Sequence, residues 1–479
     1  MGARSTHTGT TPAPALVDAD AALSDWAARH TGAVTRHDSL DALRAEVAAA
    51  PRCRRPWWSR CPRPPAPTTT PTPSAGPHRA LELVGAWLRE ETFAPARLVF
   101  ATRHAVPTAA GDAAATDPAQ AAVWGLIRAA KAENPGRFGL LDHDGAAASL
   151  DLLPTVLASG EAETALRDGS ALAPRLTRAQ DLTDTGVTDT LDVTGTGSPT
   201  GFDPSGTVLV TGASGVLARQ VARHLVTTHA VGSLILASRR GADAEGMDAL
   251  SEELRGHGAQ VTVAACDVAD RDALAALLAG IPADHPLTAV VHTAGVLDDG
   301  VVEALTPERV DTVLRAKADA AAHLDALTRG THPVTLVLFS SLASTFGGVG
   351  QGNYSAANAF LDALAARRGA EGHPALSLAW GLWAERSGMT GKLGEADLRR
   401  VRRGGVQPMD TPEALALFDT ALRAPDVFLA PAALDPAALR ASDGSVPHLL
   451  RDLVRARNPR PPARAARPPT PRHRKPPTA

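Results

Sequence analysis

The second half of the chain predicts an α/β fold with a doubly wound parallel sheet, and three observations carry that expectation. Six short apolar runs recur between positions 207 and 379, each followed by a stretch of helical periodicity. Strands alternating with helices in this way form parallel sheets that are buried on both faces. The first run opens through glycines into a helix, as Thr211-Gly212-Ala213-Ser214-Gly215-Val216-Leu217-Ala218. Finally, 479 residues at 44% hydrophobic and 21% charged have a globular composition, long enough for two or three domains.

Composition also narrows the function. No apolar run reaches the roughly 18 residues of a membrane span, and Met1-Gly2-Ala3-Arg4-Ser5 leads into Thr, Pro and Asp, not the apolar core of a secretory signal. The three cysteines, Cys53, Cys61 and Cys266, have no ligand spacing, so neither a disulfide framework nor a metal site is expected and a reducing cytoplasm is. A net charge of −3 gives no reason to expect nucleic-acid binding.

In chain order, residues 1–203 form a first unit. Two amphipathic helices are expected around Leu23, Trp26, Leu40, Leu43 and Val47. Residues 51–77 hold nine prolines and read as an irregular Arg/Pro-rich insert. A helix at 80–91, a strand at 97–101, a helix at 119–132, a strand at 138–141 and a strand pair around Asp168-Gly169 follow, with no glycine fingerprint among them. Residues 181–206 are a Gly/Thr/Ser/Pro-rich linker.

The second unit, 204–440, has strands at 207–211, 234–237, 261–264, 289–292, 336–339 and 375–379. Residues 441–479 close the chain; from 451 there are eight prolines and nine basic residues, a disordered basic tail.

The strand–turn–helix at 207–218 is a dinucleotide site. Gly212 permits the tight turn, and Gly215 lets backbone approach a pyrophosphate over the helix N-terminus. Ala218 stands at the third glycine position, where close packing is the only demand. The next strand ends in Ser238-Arg239-Arg240, where an NAD site wants an acid; two guanidinium groups suit a 2′-phosphate, so NADPH is expected. Asp267, with Val268, ends the third strand, where a carboxylate could accept from an adenine amino group. His292-Thr293-Ala294-Gly295 ends the fourth with small residues that admit the cofactor.

Lysine occurs only at 131, 317, 392 and 475, and Tyr354 is the only tyrosine. Ser341 ends the fifth strand, thirteen residues before Tyr354; Asn358 follows at i+4 on the same helix face, and Lys317 lies in the helix before that strand. A hydroxyl, a phenol and an ammonium beside a nicotinamide suit carbonyl reduction, in which an acid protonates the oxygen as hydride adds to carbon.

With its motifs at 211–218, 292–299, 317, 339–341 and 350–364, the chain resembles the ketoreductase domains of modular type I polyketide synthases, short-chain dehydrogenase/reductases, over about 16–454. Lys317 with Tyr354-x-x-x-Asn358 favours this branch over the commoner Tyr-x-x-x-Lys pattern. The resemblance implies two Rossmann-like subdomains, the first truncated, structural and without cofactor. It implies Tyr354 as proton donor, Ser341 on the substrate carbonyl, Lys317 on the ribose and lowering the tyrosine pKa, and Asn358 ordering a proton relay. The substrate it implies is a β-ketoacyl thioester on the phosphopantetheine arm of an acyl carrier protein, with other synthase domains as partners.

Leu297-Asp298-Asp299 matches the B-type motif of that family, associated with a D-hydroxyl, and Phe346 replaces the A-type tryptophan. Gln351 falls in the same substrate-facing set, no proline stands at Ala356 as in epimerising members, and residues 380–393 resemble the family's mobile lid. Residues 51–77 depart from the family, where a strand and a simpler loop stand. The competing expectations are a non-catalytic scaffold or disrupted synthase fragment, and a reductase of free small ketones.

Overall fold

The structure, a computed structural model, describes residues 15–17, 21–30, 35–37, 39–49, 57–60, 73–109, 111–179, 201–330, 333–385, 405–441 and 448–454. The 181–200 part of the linker, most of the 51–77 insert, lid residues 386–393 and the tail after 454 lie outside them.

Two α/β units follow one another. The first sheet consists of β1 (Ala15–Val17), β2 (Thr35–His37), β3 (Trp57–Arg60), β4 (Leu98–Arg103), β5 (Phe138–His143), β6 (Glu163–Arg167) and β7 (Ser170–Leu172), ordered β2-β1-β3-β4-β5-β6-β7. It is parallel except for the β6–β7 hairpin, whose turn residues Asp168 and Gly169 both take positive φ, as a two-residue hairpin turn demands. Trp57–Arg60, inside the stretch read as irregular, pairs with β1 and β4. The strand itself contains no proline, so its ladder donors are intact and the prolines only flank it.

Helices α1 (Ala21–Arg29), α2 (Leu40–Ala49), α3 (Ala75–Arg89), α4 (Pro118–Glu133), α5 (Ala147–Leu150) and α6 (Leu153–Ala158) belong to this unit. Helix α4 starts where Asp117 accepts from the amides of Ala119 and Gln120, with Pro118 in the first turn, where a missing N–H costs nothing.

The second sheet realises all six expected strands and adds a seventh. β8 (Thr207–Thr211), β9 (Ser233–Ser238), β10 (Gln260–Ala265), β11 (Leu287–His292), β12 (Thr335–Ser341), β13 (Ala375–Trp380) and the later β15 (Phe428–Leu429) lie in the order β10-β9-β8-β11-β12-β13-β15, every pair parallel. That order reverses at β8, and ligands bind over the strand ends at such a reversal. β14 (Val406–Gln407) and β16 (Ala433–Leu434) form a separate two-stranded ladder.

The helices here are α7 (Val216–Thr227), α8 (Met247–Gly256), α9 (Arg271–Ala279), α10 (Pro307–Leu314), α11 (Ala320–Leu327), α12 (Leu342–Phe346), α13 (Gly352–Ala370) and α14 (Thr411–Leu422). Asp419 of α14 lies 2.7 and 2.8 Å from Nε2 of His224 and His229, tying α14 to the end of α7. The chain closes with α15 (Pro436–Ala441) and α16 (Arg451–Val454), so the first residues of the expected disordered tail are helical. Among the described residues no helix is long and apolar enough to cross a membrane.

The two units share one core. Leu83, Trp87, Leu126 and Ile127 of the first are buried in the same cluster as Leu314, Phe360 and Leu364 of the second. Helix α4 lies so close to α13 that a Cβ on Gly125 would sit 2.1 Å from the Ser355 carbonyl oxygen; only glycine fits that crossing.

An ion cluster reinforces the junction. Arg128 donates through Nε and Nη2 to Glu163 at 3.1 and 2.8 Å and through Nη1 to the Ser344 carbonyl at 2.8 Å, while Lys131 donates to Glu163 at 2.6 Å. Burial opposes ionisation of Glu163, but the two cations outweigh it and hold its carboxyl at about 2. Its stabilisation is therefore complete above the ordinary value of 4.5 and is lost as pH falls from there toward 2. Glu163→Gln is expected to lower stability by about 3 kcal/mol at pH 7, because two cations lose their counter-charge. Denaturant melts between pH 7 and 3 check this: the parent should approach the variant in acid.

Candidate active site

Over the C-terminal ends of β8, β9 and β11–β13 opens a cleft of about 1730 Å³. Its cofactor end is built by the β8–α7 turn, where Gly212 has φ +70° and a Cβ on it would lie 2.7 Å from the Ala294 Cα. Gly212, Ser214, Gly215, Val216 and Leu217 line the cleft, with Ser238, Arg239, Asp267, Val268, Thr293, Ala294 and Gly295 opposite. Ser214, Arg239 and Arg240 also line a smaller recess beyond the end of β9, where both arginines are exposed. The turn leaves room for a pyrophosphate, and the recess offers two guanidinium groups, so these residues fit NADPH. Asp267 is already engaged, accepting from Arg315 at 2.9 Å and from the Ala269 amide at 3.1 Å.

Two residues of the expected cofactor set line neither the cleft nor the recess. Thr211 and His292 are fully buried behind the cleft, with Thr211 Oγ1 2.8 Å from His292 Nδ1 and His292 Nε2 3.2 Å from the Lys317 carbonyl oxygen. Burial, with the Lys317 charge, lowers the His292 pKa to about 3, so the ring is neutral. A carbonyl only accepts, so Nε2 carries the proton and Nδ1 accepts from the Thr211 hydroxyl.

Ser341, Lys317 and Tyr354 converge on the same cleft. Ser341 ends β12 and caps α12, its Oγ accepting from the Ala343 amide at 3.2 Å. Lys317 sits on a π-turn, Arg315–Asp319, between α10 and α11, a helix irregularity common at functional sites. Its Nζ donates to the Phe339 carbonyl and to Asn358 Oδ1, both at 2.6 Å, and lies 5.3 Å from the Tyr354 ring centre. Asn358 is buried beneath the cleft and donates through Nδ2 to the Tyr354 carbonyl at 2.8 Å.

Burial lowers the Lys317 pKa to about 7, against the opposing charge of Asp362. Burial also raises the Tyr354 phenol, and hydrogen bonds from Asn358 and Ser341 pull against it. Within these residues the tyrosine thus stays a protonated acid at neutral pH.

Leu297, Asp298, Asp299, Phe346 and Gln351 also line the cleft, with Trp380 and Trp383 from the segment read as the lid. Arg309 grips Asp298 through Nε and Nη2 at 2.9 and 2.7 Å, and Gln351 donates to Asp299 at 3.2 Å. Asp298 is therefore an ion-paired loop anchor, unlike a freely solvated turn acid.

Two functional features escaped the sequence. Asp362, one turn beyond Asn358 on α13, is half-buried and accepts from the hydroxyls of Ser344 and Ser377, both at 2.7 Å; desolvation raises its pKa. Its i+8 spacing from Tyr354 was the available signal. The contribution of α4 to the catalytic unit had none, since its partners lie some two hundred positions away.

Residues 206–385 match the KR domain family, and residues 6–176 match the Rossmann fold domain of the polyketide synthase extender module SpnB. Polyketide synthase GfsA of Streptomyces halstedii is 54% identical over 382 residues, which cover 79% of this chain but 5% of that protein. The chain thus spans a small part of the curated relatives it matches. A C2-type ketoreductase from a modular polyketide synthase is 34% identical with a TM-score of 0.76, covering 92% of this chain and 96% of that one. The first ketoreductase of the tylosin synthase is 34% identical with a TM-score of 0.75, covering 91% and 95%. With both halves matched in order and the whole length of solved ketoreductases superposed, the chain belongs to the ketoreductases of modular polyketide synthases, oxidoreductases of the short-chain dehydrogenase/reductase type.

Proposed function

We propose that the chain reduces the β-carbonyl of a β-ketoacyl thioester, presented on the phosphopantetheine arm of an acyl carrier protein within a polyketide synthase, using NADPH. The observation that carries this is the convergence of Ser341, Lys317 and Tyr354 on the cleft that begins at the Gly212 turn. Bound there, the reduced nicotinamide supplies the hydride that adds to the carbonyl carbon. Ser341 donates a hydrogen bond that orients the carbonyl oxygen, and Tyr354 gives that oxygen its phenolic proton. Lys317, held by Phe339 and Asn358, places a cation beside the tyrosine ring that favours proton release.

NADPH oxidation with a carrier-bound β-ketoacyl substrate and with a free diketide thioester tests the reading. Turnover of neither leaves the scaffold, and indifference to the carrier leaves the free-ketone reductase.

Cofactor choice rests on the recess at Ser214, Arg239 and Arg240. The Arg239→Asp/Arg240→Asp double variant should lose about a hundredfold or more in kcat/KM for NADPH while NADH is less affected, since two charge-assisted contacts are each worth about 1.5–3 kcal/mol. Initial rates with both cofactors decide it; an unchanged preference refutes the 2′-phosphate role.

The product expected is the D-configured β-hydroxyl without α-epimerisation. Leu297, Asp298 and Asp299 border the entrance and Phe346 stands where A-type members have tryptophan, so the arm is read as entering on the B-type side. Chiral chromatography of the reduced diketide checks this, and a predominantly L product sinks it.

A further inference from the structure

Two loops line the part of the cleft read as its entrance. One, residues 297–302, follows β11; the other, 347–351, leads into α13 and Tyr354. They meet where the Gly300 amide donates to the Gly350 carbonyl at 2.7 Å and Gly300 bridges to Gln351. A single carboxylate from the other unit joins them. Glu133, the last residue of α4, accepts the Val302 amide on Oε2 at 2.6 Å and the Gly350 amide on Oε1 at 2.8 Å.

The first unit's own stability does not account for that residue. A carboxylate in the last turn of a helix faces the negative end of the helix dipole and is unfavourable there. Among the described residues, its hydrogen bonds come from two backbone donors of the catalytic unit. Val349, next to the clamped Gly350, lines the cleft with 42% of its surface exposed, an apolar lip in the path of an acyl chain. Asn353, fully buried in the first turn of α13, completes the frame by donating to the Asp298 carbonyl at 2.8 Å.

We propose that Glu133 is a positioning residue for substrate entry: its carboxylate sets the gap between the two entrance loops, and so which carbonyl face is presented to the nicotinamide. The catalytically silent first unit then contributes to stereochemical outcome as well as to stability. Glu133 does not line the cleft and touches no reacting atom; it acts through Val302 and Gly350. This inference rests on the β-ketoacyl reading of the cleft.

Glu133→Gln tests it with little change of volume. The amide offers one acceptor, and its NH₂ group confronts the other backbone donor, so one loop is released. Glu133→Asp keeps the charge but falls a methylene short of spanning both amides. The full chain and both variants are given an α-methyl β-ketoacyl diketide thioester. Diastereomer ratio, thioester KM and NADPH Kd (the last by fluorescence) are measured, together with hydrogen–deuterium exchange of the 297–302 and 347–351 backbone.

The expected result is faster exchange in both loops, a diastereomer ratio lowered about tenfold, and thioester KM raised severalfold, with NADPH Kd within about twofold of the parent; losing one buried hydrogen bond is worth about that tenfold. Unchanged NADPH binding also certifies that the variants are folded, and Glu133→Asp stands in if Glu133→Gln does not fold. A parent that reduces the diketide, with variants of unchanged diastereomer ratio and thioester KM, overturns the proposal even if they melt earlier. A parent that reduces no diketide overturns the functional reading itself, a different and separable failure.

Discussion

Tyr354→Phe should lower kcat by about 10²–10⁴, the span for losing a positioned general acid, and leave NADPH binding intact. The substitution removes one oxygen from a ring whose packing is otherwise retained: Tyr354 lies against the shared core, and its backbone is held by Asn353 and Asn358. The phenol lines the cleft beside Ser341 and Lys317. Asp362, half-buried and off the cleft, accepts from Ser344 and Ser377, and Asp298 and Asp299 are engaged by Arg309 and Gln351. A neutral phenol is also the form the site enforces, since burial raises its pKa. Single-turnover rates with NADPH, alongside a melting curve, separate the chemical role from a packing role. A variant that melts earlier but turns over at nearly the parental rate would dispose of the assignment.

Much of the catalytic unit was legible because its strands are buried on both faces and so read as unbroken apolar runs. Their ends were placed short by a residue or two where polar side chains such as Ser238, Ser340 and Ser341 continue the ladder into the site. The seventh strand, Phe428–Leu429, has two residues and no period to detect. In the first unit the hairpin at Asp168-Gly169 was readable because its turn demands positive φ, whereas three-residue strands such as Thr35–His37 fall below any pattern. Trp57–Arg60 was hidden by the prolines around it.

The residues proposed to react stood out for a chemical reason. In a chain nearly devoid of lysine and tyrosine, Lys317 and Tyr354 are conspicuous, and a helix fixes Asn358 beside Tyr354. Glu133, Arg128 and Glu163 were invisible, because a charged residue at the end of a helix or strand reads as solvated until its distant partner is known. His292 was readable as a strand end but not as a buried link between the Thr211 hydroxyl and the backbone of Lys317.

Lys317→Met is expected to depress kcat/KM by about a hundredfold or more and to change two pH dependences. The side chain is 2% exposed, so methionine fills similar space, but the Phe339 carbonyl and Asn358 Oδ1 lose their donor. Groups facing the ammonium are His292, neutral; Asp362, whose charge supports the cation; and the Tyr354 ring at 5.3 Å. A lysine with a pKa near 7 loses its charge as pH rises through neutrality, so the parent's rate should fall over that range as the cation beside the tyrosine is lost, whereas Lys317→Met, with no cation to lose, should show no such fall. Stability should respond differently. Burial holds the Lys317 pKa near 7 against 10.5 in the unfolded chain, so between those values the unfolded state binds more protons and the stability of the parent rises with pH. In Lys317→Met that rise should flatten. Rate profiles and denaturant melts from pH 6 to 10 measure both. A fall in rate near neutrality that persists in Lys317→Met would overturn the electrostatic role, and a stability curve as steep as the parent's would show that the lysine is not the buried titrating group the structure places there.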